Sequence, residues 1–131
     1  MIDKHELRIS NKVSLAHESL IVTISKIGYS EVEFDNYNLR YDYEDLMPIP
    51  ISVELIDKCG LQRWGKHKFH VGKVSWYIDK YTIIVFCDDT YDQWWEIRFL
   101  DSKENRYFKI SSFHELQNWY YLLEQKELTI L

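Results

Sequence analysis

Three observations on the 131-residue chain predict an α+β fold built from small antiparallel sheets, or one long curled sheet. Short segments that alternate apolar with polar residues recur between Leu7 and Ile110, the pattern of half-buried strands. A break at Met47-Pro48-Ile49-Pro50 is followed by a short helical pattern. A longer helical pattern follows Ser112 near the end of the chain. With 46% hydrophobic residues, only 4 Gly and only 2 Pro, the whole chain, 1–131, is expected to form a single domain. Within it, 1–46 forms an N-terminal β meander and 47–131 carries a helix, a sheet and a C-terminal helix.

The elements follow in order. A weak strand is expected around Leu7 to Leu15, and a stronger one over Leu20 to Ile27 (LIVTISKI), which is β-branched and partly alternating. Glu31 to Phe34 alternates two acids with Val32 and Phe34, and Tyr37 to Tyr43 alternates Tyr37, Leu39, Tyr41 and Tyr43 with polar residues. Gly28 and Asp35-Asn36 supply turns, so this region reads as a curled meander of SH3-like architecture. Ser52 is a natural helix N-cap, Glu54 suits the positive end of the helix dipole, and Gly60 stops a helix of about two turns. Val53, Ile56 and Cys59 form its apolar face.

Five further strands are expected at Lys66–Val71, Val74–Ile78, Tyr81–Cys87, Gln93–Leu100 and Arg106–Ile110. Gly72-Lys73 and Asp79-Lys80 are two-residue breaks suited to hairpins, and the nearly continuous apolar run Tyr81–Cys87 suits a central strand covered on both faces. Ser112-Phe113-His114-Glu115 is a capping box. Behind it Phe113, Leu116, Tyr120 and Leu123 recur at helical spacing, so this helix is expected to pack on the sheet. Leu128–Leu131 reads as a final short strand.

Composition excludes some classes of function. The formal charge of -5 argues against general coating of nucleic acid or anionic membrane. No apolar run approaches the roughly 18 to 20 residues of a spanning helix, and the opening MIDKHELRIS lacks the apolar core of a signal peptide, so no membrane contact is expected and a cytoplasmic location is expected. Cys59 and Cys87 sit in apolar sequence and read as buried hydrophobic residues rather than a disulfide.

No motif for catalysis, phosphate binding or metal binding emerges, so the expectation is a protein without enzymatic activity, cofactor or metal. His67 and His70 point to opposite faces if both lie on a strand, and His114, in the first helical turn, is expected to be exposed. Asp88-Asp89-Thr90-Tyr91-Asp92 is the densest group of acids. It lacks the central glycine of a calcium-binding loop and has Phe99 at the twelfth position, so it reads as a solvated hairpin loop.

Charge patterning is more informative. Glu31 to Asp57 carries eight acids and one base, whereas Leu61 to Lys80 carries five bases and one acid. The acidic stretch points to a partner-binding surface at Tyr37, Tyr41, Asp42, Tyr43, Glu44 and Asp45, offering a protein's basic groove a surface resembling nucleic acid. Trp94 or Trp95 would add an aromatic anchor. The alternative is an RNA- or single-stranded-DNA-binding hairpin over 61–80, using Arg63, Trp64, Lys66, Lys68 and Lys73.

Two segments add a resemblance. Leu46 to Leu61 (LMPIPISVELIDKCGL) resembles the L-x-P-I-P-L-T-E-E-x-L-x-x-x-G-F segment of small uncharacterised proteins of bacterial phages and mobile elements. Phe113 to Leu128 (FHELQNWYYLLEQKEL) resembles their C-terminal V-H-Q-L-Q-N-L-Y-F-A-L-T-G-E-E-L signature. Gln125 stands where that family has glycine, and Trp119 where it has leucine. The resemblance implies a setting and no mechanism: an accessory protein that binds a host protein, such as an inhibitor of a defence nuclease, in the manner of anti-CRISPR proteins that act on a CRISPR effector.

Overall fold

A computed structural model gives the chain an α+β fold in which strands predominate. It describes residues 2, 4–15, 20–35, 40–64, 72–100 and 106–130, and among them lie nine strands and two α-helices. The chain divides into two compact units: Met1–Pro50 with Ser112–Trp119, and Ile51–Ser111 with Tyr120–Leu131. The expected strand Lys66–Val71, with His67 and His70, and the residues Tyr37 and His17 lie outside the described residues.

The first unit holds strands β1 (Lys12–Leu15), β2 (Ile21–Ile27), β3 (Glu31–Phe34), β4 (Arg40–Asp42) and β5 (Leu46–Met47). They form one antiparallel sheet in the order β4-β3-β2-β1-β5. Alternation delivers Val13, Leu15, Val22, Ile24, Val32 and Phe34 to one face, where Ile2, Leu7 and Leu46 join them in a core. Gly28 lets the β2–β3 turn close tightly. Its N–H donates to the Glu31 carbonyl at 2.8 Å, and a Cβ there would lie 3.0 Å from that oxygen.

The first strand starts later than Leu7. Lys4–Glu6 form a 3-10 turn, and Ser10 takes a left-handed backbone with φ 76°. Asn11 is the reason: its side-chain oxygen accepts from the Arg8 N–H at 2.7 Å, while its own N–H donates to the Arg8 carbonyl at 3.0 Å. This local turn competes successfully with the ladder.

Helix α1 (Val53–Lys58) is capped as the sequence indicates. The Leu55 N–H donates to the Ser52 hydroxyl at 3.1 Å, Ile56 is fully buried, and Gly60 ends the helix at φ 75°. The second sheet is β6 (Gly72–Asp79), β7 (Thr82–Asp88), β8 (Gln93–Phe99) and β9 (Tyr107–Ile110), antiparallel in sequence order. β7 is an inner strand buried on both faces, and Cys87 on β7 and Cys59 are both buried and outside any disulfide.

Two hairpin assignments change. Gly72 and Lys73 belong to β6, with a register shift between Gly72 and Val74, so the glycine marks a bulge instead of a turn. The next turn is Lys80-Tyr81, one residue later than expected, because the Asp79 carboxylate stays in the strand and accepts from the Tyr81 N–H at 2.8 Å. Residues 127–130 also form no strand. Leu128 is buried as a single side chain, which explains the apolar signal without a ladder.

Helix α2 (Phe113–Glu124) begins at Ser112, whose hydroxyl donates to the Glu115 carboxylate at 2.8 Å. His114 is only 1% exposed, contrary to the exposure expected of a first-turn residue. The N-terminal segment covers it: Glu6 Oε2 lies 3.4 Å from His114 Nε2. Beside it Gln117 accepts from the Lys12 N–H at 2.8 Å, and Asn118 accepts from Arg8 Nε at 3.2 Å and donates to the Glu6 carbonyl at 2.7 Å. The helix start is thereby fastened to the segment that leads into β1. Among the described residues no helix is long and apolar enough to cross a membrane.

Candidate partner-binding surface

The acidic surface is built from the β3–β4 hairpin of the first unit. Val32, Phe34 and Tyr41 point to the core, the Tyr41 ring centre 5.2 Å from that of Phe34, so Glu31, Glu33 and Asp42 share the opposite face. Glu31 and Asp42 are direct cross-strand partners. Lys26 on β2 and Arg40 on β4 are both register partners of Glu33, so two cationic positions adjoin the acids of this hairpin. The chain then enters a 3-10 turn, Tyr43–Asp45, where Glu44 is exposed and Asp45 half-exposed.

Tyr43 is partly buried, and its hydroxyl donates to the Gly28 carbonyl at 2.6 Å. Burial pushes its phenol above the ordinary value. An open cleft of about 270 Å³ lies beside this contact, lined by Lys26, Gly28, Tyr29, Ser30, Glu31 and Glu33. Tyr29, 91% exposed, stands at its lip. Of the residues named from sequence, Asp42, Glu44 and Asp45 are therefore at the surface, while Tyr41 and Tyr43 support the hairpin from its core side. Glu31, Glu33 and Tyr29 join the surface without having been singled out. The acid–apolar alternation of Glu31–Phe34 was the signal that could have found the two glutamates.

Trp94 and Trp95 belong to the second unit and face opposite ways. Trp95 is 8% exposed, its ring centre 4.9 Å from Phe86 and 5.9 Å from Trp76, and its edge lines a cleft with Ile51, Ser52 and Val53. Trp94 is half-buried against Ile83, Val85 and Cys87. Its indole N–H donates to Glu96 Oε1 at 2.6 Å, and Lys109 Nζ lies 4.8 Å from its ring centre. Glu96 is buried and pairs with Arg98 at 2.7 Å. Burial and the Glu96 charge push the neighbouring Cys87 thiol up to about 11.

In the basic segment Arg63 is engaged by its own unit. It holds the Asp57 carboxylate through two hydrogen bonds of 3.2 and 2.6 Å, and lies 5.5 Å from the Trp76 ring centre. Trp76 Nε1 donates to the same carboxylate at 2.8 Å, and these bonds hold the Asp57 carboxyl below the ordinary carboxylate range. Trp64 is half-buried, edge-on to Tyr77 with ring centres 6.4 Å apart. Lys66, Lys68 and the Lys73 side chain lie outside the described residues.

Ser112, His114 and Glu6 have the residue types of a hydrolytic triad and not its geometry. Both Ser112 Oγ and Glu6 Oε2 approach the same nitrogen, Nε2, each at 3.4 Å. A relay needs the acid on one ring nitrogen and the nucleophile on the other. The serine proton is directed to Glu115 instead, and Ser112 and His114 are both buried. In the Asp88–Asp92 loop, Asp89 accepts from the N–H groups of Tyr91 and Asp92 at 2.8 and 2.9 Å, a self-contained exposed turn. Among the described residues no three His, Cys, Asp or Glu side chains are grouped to hold a metal.

No family model, curated protein or solved structure matches the chain.

Proposed function

We propose that this protein is a non-enzymatic binding protein whose acidic hairpin occupies a basic groove on a host protein, namely a bacterial defence nuclease such as a CRISPR effector. The observation that carries the reading is the direct pairing of Glu31 with Asp42 on a solvent-facing surface. Glu33, Glu44 and Asp45 extend the same acidic surface, and a cationic groove on the partner would complement it. Tyr29 offers an aromatic ring beside it. The phage and mobile-element setting rests on the resemblance of the two quoted segments.

The alternative, nucleic-acid binding through 61–80, is less favoured because Arg63 and Trp64 are already engaged within their own unit. One experiment separates the two: affinity capture from a bacterial lysate, with and without nuclease treatment, using the wild-type protein and the triple variant Asp42→Lys/Glu44→Lys/Asp45→Lys. The proposal expects a stoichiometric protein that survives nuclease treatment and is lost with the triple variant. Retention of nucleic acid alone, lost at higher salt, would overturn it in favour of the basic segment.

A further inference from the structure

The two faces of the second sheet differ. Register places Trp76, Ile84 and Ile97, all fully buried, in one row of the first face. The second face carries the rows Tyr77–Ile83–Arg98–Tyr107 and Ser75–Val85–Glu96–Lys109. Here Trp64, Tyr77 and Trp94 roof Ile83, Val85 and Cys87. Beyond that roof two rings stay open: Tyr107 is 49% exposed and Tyr81 is 51% exposed. The Tyr81 carbonyl accepts from the Leu100 N–H at 2.7 Å, which continues the alternation of this face past the end of β7. Each ring of the open part has a cation beside it. Lys80 Nζ lies 5.3 Å from the Tyr81 ring centre, the Arg98 guanidinium 5.2 Å from that of Tyr107, and Lys109 Nζ 4.8 Å from that of Trp94. Arg98 is committed to the buried Glu96 at 2.7 Å, and the Asp79 carboxylate accepts from the Tyr81 N–H at 2.8 Å. Lys80 and Lys109 rest against rings, and a ring contact leaves the ammonium charge uncancelled.

We propose that this face binds single-stranded nucleic acid, with bases stacked on Tyr81 and Tyr107 and phosphates held by Lys80 and Lys109. Rings interleaved with lysines match a polymer that carries a π-face on every base and a negative charge at every step. In a duplex those π-faces are stacked on one another and closed to a tyrosine. The two rings are two strands and two residues apart, about 12 Å, which a few nucleotides span. Charge permits the contact. The second unit contains eleven acids and eleven bases, so the chain's formal charge of -5 belongs to the first unit. The site uses none of Arg63, Trp64, Lys66, Lys68 and Lys73, nor the acidic hairpin, so it is tested independently of the protein-binding proposal.

The test titrates the full chain, labelled with ¹⁵N, with an oligothymidylate of about ten nucleotides. Two controls are the duplex of that strand with oligoadenylate, and an abasic strand that keeps the phosphates and lacks the bases. The expected result is saturable shifts of the Lys80, Tyr81, Tyr107 and Lys109 amides with the single strand, and binding roughly tenfold weaker for the abasic one. Two phosphate contacts give a log–log salt slope of about -1.4, which the double variant Lys80→Ala/Lys109→Ala should largely remove. Tyr107→Ala is expected to weaken the single strand roughly tenfold while leaving that slope in place. The abasic strand reads the same face without altering the protein, so the result does not depend on a variant folding. No saturable binding at low salt, equal binding of the abasic strand, preference for the duplex, or shifts confined to other residues such as Gln62 to Trp64 would each overturn the proposal.

Discussion

Asn118 Oδ1 accepts a hydrogen bond from Asn11 Nδ2 at 2.9 Å, joining residues 107 positions apart. The same oxygen accepts from Arg8 Nε, and Asn118 Nδ2 donates to the Glu6 carbonyl. Asn11 is fully buried, so removing its acceptor leaves an amide without compensation. Asn118→Ala is expected to cost about 2 to 3 kcal/mol in urea unfolding with little change in the denaturant slope. Asn118→Asp keeps the acceptor for Asn11 and Arg8 but sets a carboxylate oxygen against the Glu6 carbonyl in place of the donor, so any stability it retains over Asn118→Ala measures the acceptor's share. Equal stability of Asn118→Ala and wild type would show that the clamp contributes nothing net.

Gln125 takes φ 56° just past α2, and its N–H donates to the Tyr121 carbonyl at 2.8 Å. That is a left-handed helix stop, which a side chain disfavours and glycine does not. Gln125→Gly should therefore raise stability by about 1 kcal/mol, less the entropy glycine adds to the unfolded chain. A thermal melt checks the sign, and Gln125→Ala, which keeps the left-handed strain, should show no such gain.

Elements with a short sequence period were legible: β3 (Glu31–Phe34) has the expected bounds, and Ser52 and Gly60 delimit α1 as read. What was lost depends on distant or one-residue information. His114 is covered by Glu6, 108 positions away, which no local pattern encodes. Tyr41 and Asp42 are adjacent in a strand and so fall on opposite faces, which splits the expected acid–tyrosine surface. Gly72 carries the composition of a turn and serves as a bulge. The acids at Asp42, Glu44 and Asp45 were visible as a charge run, whereas the contribution of Glu31 and Glu33 required the β3–β4 register.

Asp57 ties pH to stability. Its folded carboxyl is held below the ordinary value, first by its hydrogen bond with Arg63 and then by that with Trp76, so the folded state favours the ionised form. The stabilisation is present above the unfolded carboxyl value and is lost as pH falls through the folded one. Asp57→Asn should be less stable than wild type at neutral pH, and the gap should close as the solution is acidified. Urea midpoints across the acid range check this, and a gap independent of pH would assign the effect to packing.

Cys87 has the opposite sign. Burial, reinforced by Glu96, holds its thiol protonated up to about 11, against an unfolded value near 9. Its contribution is complete below the unfolded value and declines as pH rises through the folded one. At mildly alkaline pH the native thiol should resist iodoacetamide and become reactive on unfolding. Mass spectrometry of alkylated peptides reads both states. Rapid native labelling of Cys87 would mean that the sheet face carrying Ile83, Val85 and Cys87 opens readily.

Trp94 and Trp95 are adjacent in sequence and should respond very differently to truncation. Trp95 fills the layer formed with Trp76 and Phe86, so Trp95→Ala is expected to cost about 3 to 5 kcal/mol. Trp94 is half-buried, and its loss removes the indole bond to Glu96 and the Lys109 contact. Glu96 keeps Arg98 as a partner, so Trp94→Ala should cost about 1 to 3 kcal/mol and leave a folded protein. That asymmetry makes Trp94→Ala the informative variant for an aromatic anchor. If Trp94 contacts the captured host protein, the variant will fold, as judged by its amide spectrum, and lose the partner. If it keeps the partner at wild-type affinity, binding belongs to the acidic hairpin alone, and the tryptophan's contribution is confined to covering Ile83, Val85 and Cys87.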